Sequence, residues 1–173
     1  MDEHYHDLEY WKAFDGPFPQ MVFADNAQGI FSLLVKKRTS GYYGHFMYLV
    51  AKNQLASQWF YFQRQTLDHY AGAHLTFVAD PKWTELDRLV MLTAITVDLE
   101  KPPWQTRYDV IGVIGELFGL GWMNRDKLNF CSERGDYLKL VDPAYKLKHP
   151  DPQELRNWCK KAGYVVTGRY SPD

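Results

Sequence analysis

The side chains best suited to covalent chemistry are two cysteines, Cys131 and Cys159, and the histidine that lies on a strand-like segment, His45. Cys131 sits in "NRDKLNFCSERGDYLKL", residues 124–140, where an aromatic loop gives way to a helix-like stretch. A cysteine attacks a carbonyl as its thiolate, and an ordinary pKa of about 8.5 leaves little thiolate at neutral pH. The amino end of a helix and a neighbouring imidazolium each lower that value. A helix beginning close to Cys131 supplies the first device, and His45 supplies the second. A strand histidine facing a helix-start cysteine is the arrangement of a cysteine hydrolase. The same letters also describe a buried structural thiol, since cysteine is commonly buried and Phe130 beside it suits a core. His45 equally fits a structural histidine.

Other reactive groupings are weaker. His4, His6, His69, His74 and His149 stand near carboxylates, and "HYH" and "DHYAGAH" (residues 68–74) invite comparison with chelating sites. There is no H-E-x-x-H pattern, so neither a metal nor any other cofactor is expected. Two cysteines far apart in sequence form neither a disulfide framework nor a zinc-ligand pair.

The elements that must position these groups are a sheet followed by helices. Residues 1–28 read as a lead-in, irregular or partly helical, with Gly16, Pro17 and Pro19 breaking any regular element; residues 29–173 read as a single domain. "GIFSLLVKKR" (29–38), "HFMYLVAK" from His45, "SQWFYFQR" (57–64) and "HLTFVAD" (74–80) are strand candidates separated by short turns, which predicts antiparallel pairing. In "WFYF", Trp59 to Phe62 either alternate between core and an exposed recognition face or lie buried on both sides of a sheet. From Trp83 to about Leu99, Leu86, Leu89, Val90, Thr93 and Val97 recur at spacings of three and four and define one helical face. A short helix is expected over 109–118, and "FGLGW" (118–122) reads as a groove rim or a tight turn. Another helix is expected from near Cys131, offering Tyr137, Leu138 and Leu140 for packing. "DPQELRNWCKKAGY" has Asp151 as cap, Pro152 at the first helical position, Glu154 at the third and Gly163 as the stop. "YVVTGRY" adds a last strand. The fold class is α+β, with an antiparallel sheet packed against helices.

Composition narrows the function classes. With 173 residues, 46% of them hydrophobic, the chain suits one domain with a substantial core. A net charge of -1, without a long basic run, argues against a nucleic-acid partner. The acidic amino terminus lacks the basic-then-apolar pattern of a signal peptide, and no apolar stretch approaches the roughly 18 residues of a membrane span. Synthesis in the cytoplasm is therefore expected.

The order of these elements resembles the circularly permuted NlpC/P60 papain-like enzymes, in which the histidine strand precedes the cysteine helix. "GHFMYL" is similar to that family's His-strand segment, with His45 in the histidine position and Gly44 in place of the usual serine. Tyr108-Asp109 resembles its "YD" segment, Cys131-Ser132-Glu133 its "CSE" segment, and Pro152 to Leu155 a trailing "P-x-x-L" helix. The resemblance covers roughly residues 29–163. It implies a papain-like fold and a thiol hydrolase cleaving amide bonds, in peptidoglycan peptides or in lipid or aminoacyl amides, or a related acyltransferase.

In that scheme His45 takes the proton of Cys131, the thiolate attacks the amide carbonyl, and His45 then protonates the leaving amine before water releases the acyl group. The backbone N–H of Cys131 is one oxyanion donor. The resemblance also implies a polar or acidic residue on the next strand that orients the imidazole. This chain departs from it by offering Gln58 or Gln63, whose amides can fix the ring without offsetting an imidazolium charge. Tyr108, Asp109 and Glu133 are support candidates, each with a bland counterpart: core filling, loop bracing, and helix-start electrostatics. The competing expectation is a catalytically inactive papain-like domain used for binding or for phage or virion assembly. No residue pattern specifies the acyl group, the leaving amine or the oligomeric state.

Overall fold

The structure is a computed structural model that describes residues 4–25, 42–58, 60–106, 131–148 and 150–172, with Cys131, Ser132 and Glu133 described by backbone alone. In chain order the elements are α1 (Leu8–Ala13), β1 (Gln20–Asp25), β2 (His45–Ala51), β3 (Gln54–Gln58), β4 (Phe62–Gln65), a 3-10 turn at Leu67–Tyr70, and β5 (His74–Ala79). They continue with α2 (Glu85–Leu99), a second 3-10 turn at Pro103–Gln105, a 3-10 helix at Cys131–Leu140, α3 (Pro152–Ala162) and β6 (Val165–Tyr170). The fold is α+β, built on a six-stranded antiparallel sheet in the order β4-β3-β2-β1-β5-β6.

Within what reads as a lead-in lies one of the two central strands. β1 pairs with β2 on one side and β5 on the other, and all six of its residues are buried. A strand buried on both faces is a continuous apolar run with no alternation to mark it, so "QMVFAD" looks like nothing in particular beside the Gly-Pro punctuation ahead of it. α1 is tied to the same sheet: the Trp11 ring stacks on Phe77 with centroids 3.5 Å apart, and Tyr5 bridges to Arg169 on β6.

The segment 57–64, expected as one strand, is split between β3 and β4, whose hairpin register pairs Gln58 with Phe62. Phe60 and Tyr61 are exposed at that turn while Phe62 is buried. No Gly, Pro or Asn marks the reversal, and aromatic residues disguise it as strand. Trp59, the strand candidate at 29–38 and the helix candidate at 109–118 lie outside the described residues, as do Phe118 to Trp122.

Each face of the sheet carries its own core. On one, Phe23, Phe46 and Tyr48 meet Met91 and Ile95 of α2, Tyr137 and Leu138 of the 3-10 helix, and Leu155 and Cys159 of α3. On the other, Val22, Met47, Leu55 and Phe77 meet Trp11, Leu67, Tyr70 and Tyr170. The helices end where their caps demand. Thr84 and Asp87 form a capping box on α2, Asp151 and Glu154 form another on α3, and Gly163 closes α3 at φ 91°.

The expected apolar face of α2 is present but points outward. Leu86, Leu89 and Val97 are 68%, 60% and 53% exposed, whereas Met91 and Ile95 are fully buried. The helix is apolar on two sides, and periodicity identifies stripes without saying which one meets the sheet. In the 3-10 helix Tyr137 and Leu138 pack inward, but Leu140 is exposed. Gly135, which weakens helix propensity, allows this helix to seat: a Cβ there would stand 2.8 Å from the Tyr145 hydroxyl and 3.0 Å from Leu155.

Candidate functional site

His45 opens β2, opposite Ala24 of β1. Strand alternation puts its ring on the same face as Met47 and Leu49, the face covered by Trp11 and Tyr70. There its Nε2 lies 2.9 Å from Ser57 Oγ, Ser57 Oγ lies 2.8 Å from the Tyr70 hydroxyl, and Tyr70 donates to Gln65 Oε1 at 2.8 Å. The His45 and Tyr70 rings lie nearly parallel, with centroids 5.9 Å apart.

The direction of the last bond sets the others. Tyr70 has one hydroxyl proton and gives it to Gln65, so Ser57 donates to Tyr70 and His45 donates its Nε2–H to Ser57. Ser57 and His45 are within the distance of a nucleophile and its base, yet the proton runs the opposite way, and Ser57 is fully buried. Burial, and secondarily the charge of His69, lower the His45 pKa from 6.5 to about 4, so the ring is neutral at pH 7. It is a structural donor at Nε2.

The other face holds a charged cluster. Arg134, on the 3-10 helix, gives its Nε to Gln58 Oε1 at 3.0 Å and its Nη1 to Asp98 Oδ2 at 2.7 Å and the Tyr137 hydroxyl at 3.2 Å. Tyr137 in turn donates to Asp98 at 2.5 Å, Lys101 pairs with the other Asp98 oxygen, and the Arg134 guanidinium lies 4.3 Å from the centre of the Phe62 ring. Gln58 completes the cluster by donating to the Thr106 carbonyl at 2.7 Å. Burial opposes the Asp98 charge, but hydrogen bonds from Lys101 and Tyr137 and the charge of Arg134 outweigh it and hold this carboxyl below the ordinary range. Burial also drives the Tyr137 phenol upward, so it stays protonated as a donor. Arg134 Nη2 is buried without a hydrogen-bond partner among the described residues.

No protein-family model matches the chain, and no curated protein matches its sequence. The geometry must carry the reading.

The expected site residues are dispersed across this frame. His45 faces one layer, while the 3-10 helix that contains Cys131 packs on the opposite layer through Tyr137 and Leu138. Gln58 sits beside Ser57 in sequence but points to the Arg134 side, so Ser57 rather than Gln58 meets the imidazole. Gln63 pairs across β3–β4 with Ser57, which puts it on the His45 face one strand further out. The Cys131 and Glu133 side chains, and Tyr108 and Asp109 entirely, lie outside the described residues. Cys159 is a core thiol: it is fully buried, its Sγ is 3.8 Å from Met21 Sδ, and burial raises its pKa to about 12.

Ser57, Gln65, Tyr70, Asp98 and Arg134 escape a search for reactive types. Counting strand parity from His45 through the Asn53 turn would have separated Ser57 from Gln58. Among the described residues no group of three or more His, Cys, Asp and Glu is placed to hold a metal, and no helix is long and apolar enough to cross a membrane.

Proposed function

We propose that this chain is a non-catalytic papain-like domain, of the circularly permuted NlpC/P60 kind, that serves in binding or in the assembly of a phage or virion particle. The likeness in fold rests on the order of its parts, a histidine-bearing strand ahead of a cysteine-bearing helix packed on an antiparallel sheet. The observation that carries the loss of catalysis is the commitment of His45. Its ring is neutral, donates Nε2–H to Ser57, and is turned to the layer away from the Cys131–Leu140 helix. Turned to that layer the ring is directed away from the cysteine-bearing helix, and with its pKa lowered to about 4 it is a weak base that carries no charge to hold a thiolate.

The hydrolase reading, a Cys131 acyl-enzyme acting on peptide, peptidoglycan or lipid-amide substrates with His45 as base, requires that ring to leave its face of the sheet. Alkylation of Cys131 against pH separates the two readings, with Cys159 replaced by serine and with or without His45→Gln. The binding reading expects the profile of an ordinary thiol, with a midpoint near 8.5 that the histidine substitution does not move. Rapid alkylation at mildly acidic pH that disappears with His45→Gln refutes it in favour of the hydrolase.

A further inference from the structure

The Arg134 cluster holds more donors than it uses. A guanidinium carries five N–H groups, a primary amide two and a hydroxyl one O–H. Arg134 gives its Nε–H to Gln58 and its two Nη1 protons to Asp98 and Tyr137, and its Nη2 has no acceptor among the described residues. Gln58 gives one Nε2 proton to the Thr106 carbonyl, and the second has no acceptor among the described residues. Thr106 Oγ1 accepts from the Phe62 N–H at 3.4 Å, and its own proton is likewise spare among them. Arg134, Gln58 and Thr106 are 8%, 1% and 1% exposed, so these protons lie in the interior, where a donor is ordinarily matched. Gln58 joins the three residues, holding Arg134 through its Oε1 and Thr106 through its Nε2.

Charge narrows what these donors match. Arg134 and Lys101 both pair with Asp98, so among the described residues two cations share one carboxylate. The surplus of one positive charge suits a singly charged group, and a carboxylate brings two acceptor oxygens that a guanidinium and an amide can engage together. A phosphate or sulfate dianion would reverse the balance. The Phe62 ring, 4.3 Å from the guanidinium carbon, closes one side of Arg134 with apolar surface. We propose that Gln58, Thr106 and Arg134 form a binding site for a carboxylate, the acid group of a small molecule or of a peptide terminus, whose oxygens accept from Arg134 Nη2, Gln58 Nε2 and Thr106 Oγ1. The proposal does not rest on whether Cys131 reacts, which its alkylation profile tests separately: a bound acid group serves a binding domain and a hydrolase alike.

Thermal unfolding of the full chain at pH 7 in sodium acetate, against sodium chloride at the same ionic strength, tests it. So small a ligand is expected to bind with a Kd in the millimolar range. At roughly ten times that concentration the wild type is expected to melt about 3–6 °C higher than in chloride. Thr106→Val removes one donor but keeps the carbonyl that holds Gln58 and the Phe62 N–H, and is expected to weaken acetate binding about tenfold. Thr106→Ser, which retains the donor, is expected to bind acetate as the wild type does. Triglycine with a free carboxyl terminus, against its terminal amide, identifies the source. A larger gain from the free peptide than from acetate, absent with the amide, assigns the site to peptide termini, and a gain from acetate alone assigns it to small acids. Equal melting temperatures in acetate and chloride overturn the proposal. So does an acetate gain that survives Thr106→Val, or a gain seen in sodium sulfate or phosphate and not in acetate.

Discussion

The two polar clusters on opposite faces of the sheet are buried to similar degrees but are built on different electrostatics. On the His45 face, His45, Ser57, Tyr70 and Gln65 form a relay of neutral donors and acceptors. On the Arg134 face, a guanidinium and a carboxylate compensate each other, braced by Tyr137 and Gln58. A neutral relay needs no counter-ion but is broken by a proton. An ion pair is indifferent to protons near neutrality, yet losing either partner strands a buried charge. The contrast explains how two residues adjacent on β3, Ser57 and Gln58, serve unrelated networks.

Removing Arg134 should separate the faces most sharply. Arg134→Met leaves Asp98, Tyr137 and the Gln58 carbonyl without their shared partner, and the expected loss is about 3–5 kcal/mol in urea unfolding at pH 7. A loss below about 1 kcal/mol would mean that Lys101 alone compensates Asp98, and the charged cluster would not be the brace described.

Acid tests the neutral relay. The folded state keeps His45 unprotonated down to about pH 4, whereas the unfolded chain binds that proton below 6.5. The unfolded state therefore holds more protons in this window. The His45 contribution is complete above pH 6.5, is lost as pH falls towards 4, and amounts to about 3 kcal/mol. Subtracting the stability profile of His45→Gln from that of the wild type isolates it, because glutamine retains a donor to Ser57. Asp98 also loses its contribution on acidification but in a lower window: it is complete above the ordinary carboxylate value of 3.8 and is lost only as pH falls through the lowered one. A difference profile that is flat between pH 6.5 and 4 would remove the distinction between the faces.

The smallest effects come from single hydroxyls. Ser57→Ala takes the middle link from the relay and should cost about 1–3 kcal/mol, since it leaves both His45 and Tyr70 short of a partner in the core. Tyr70→Phe should cost about 1 kcal/mol. Their combination should cost less than the sum, because both remove the same bond. Additive losses would show that the two hydroxyls act separately.

Much of the fold follows from local signals in the chain. β2, β5 and β6 are read from runs of branched and aromatic residues, and the ends of α3 from Asp151, Pro152, Glu154 and Gly163, because capping and turn chemistry act over a few residues. β1 is hidden because a doubly buried strand lacks alternation, and the β3–β4 turn because its residues are aromatic. The candidate site was legible as residue types and order, with His45 on a strand and Cys131 in a helical segment. Its assembly was not. Gln58 and Ser57 differ by one position, and one position on a strand exchanges one face of the sheet for the other.

The sequence by itself determined several of the strands, the antiparallel pairing, the cap and stop of α3 and the existence of an apolar stripe on α2, which are signalled by residue patterns a few positions long. Only the tertiary structure decided which side of α2 meets the sheet, which layer His45 faces, and that Arg134 would join Gln58, Asp98 and Tyr137. Those outcomes depend on pairing between segments far apart in the chain. At that range, side-chain direction is set by strand register and helix rotation, and residue type alone does not encode it.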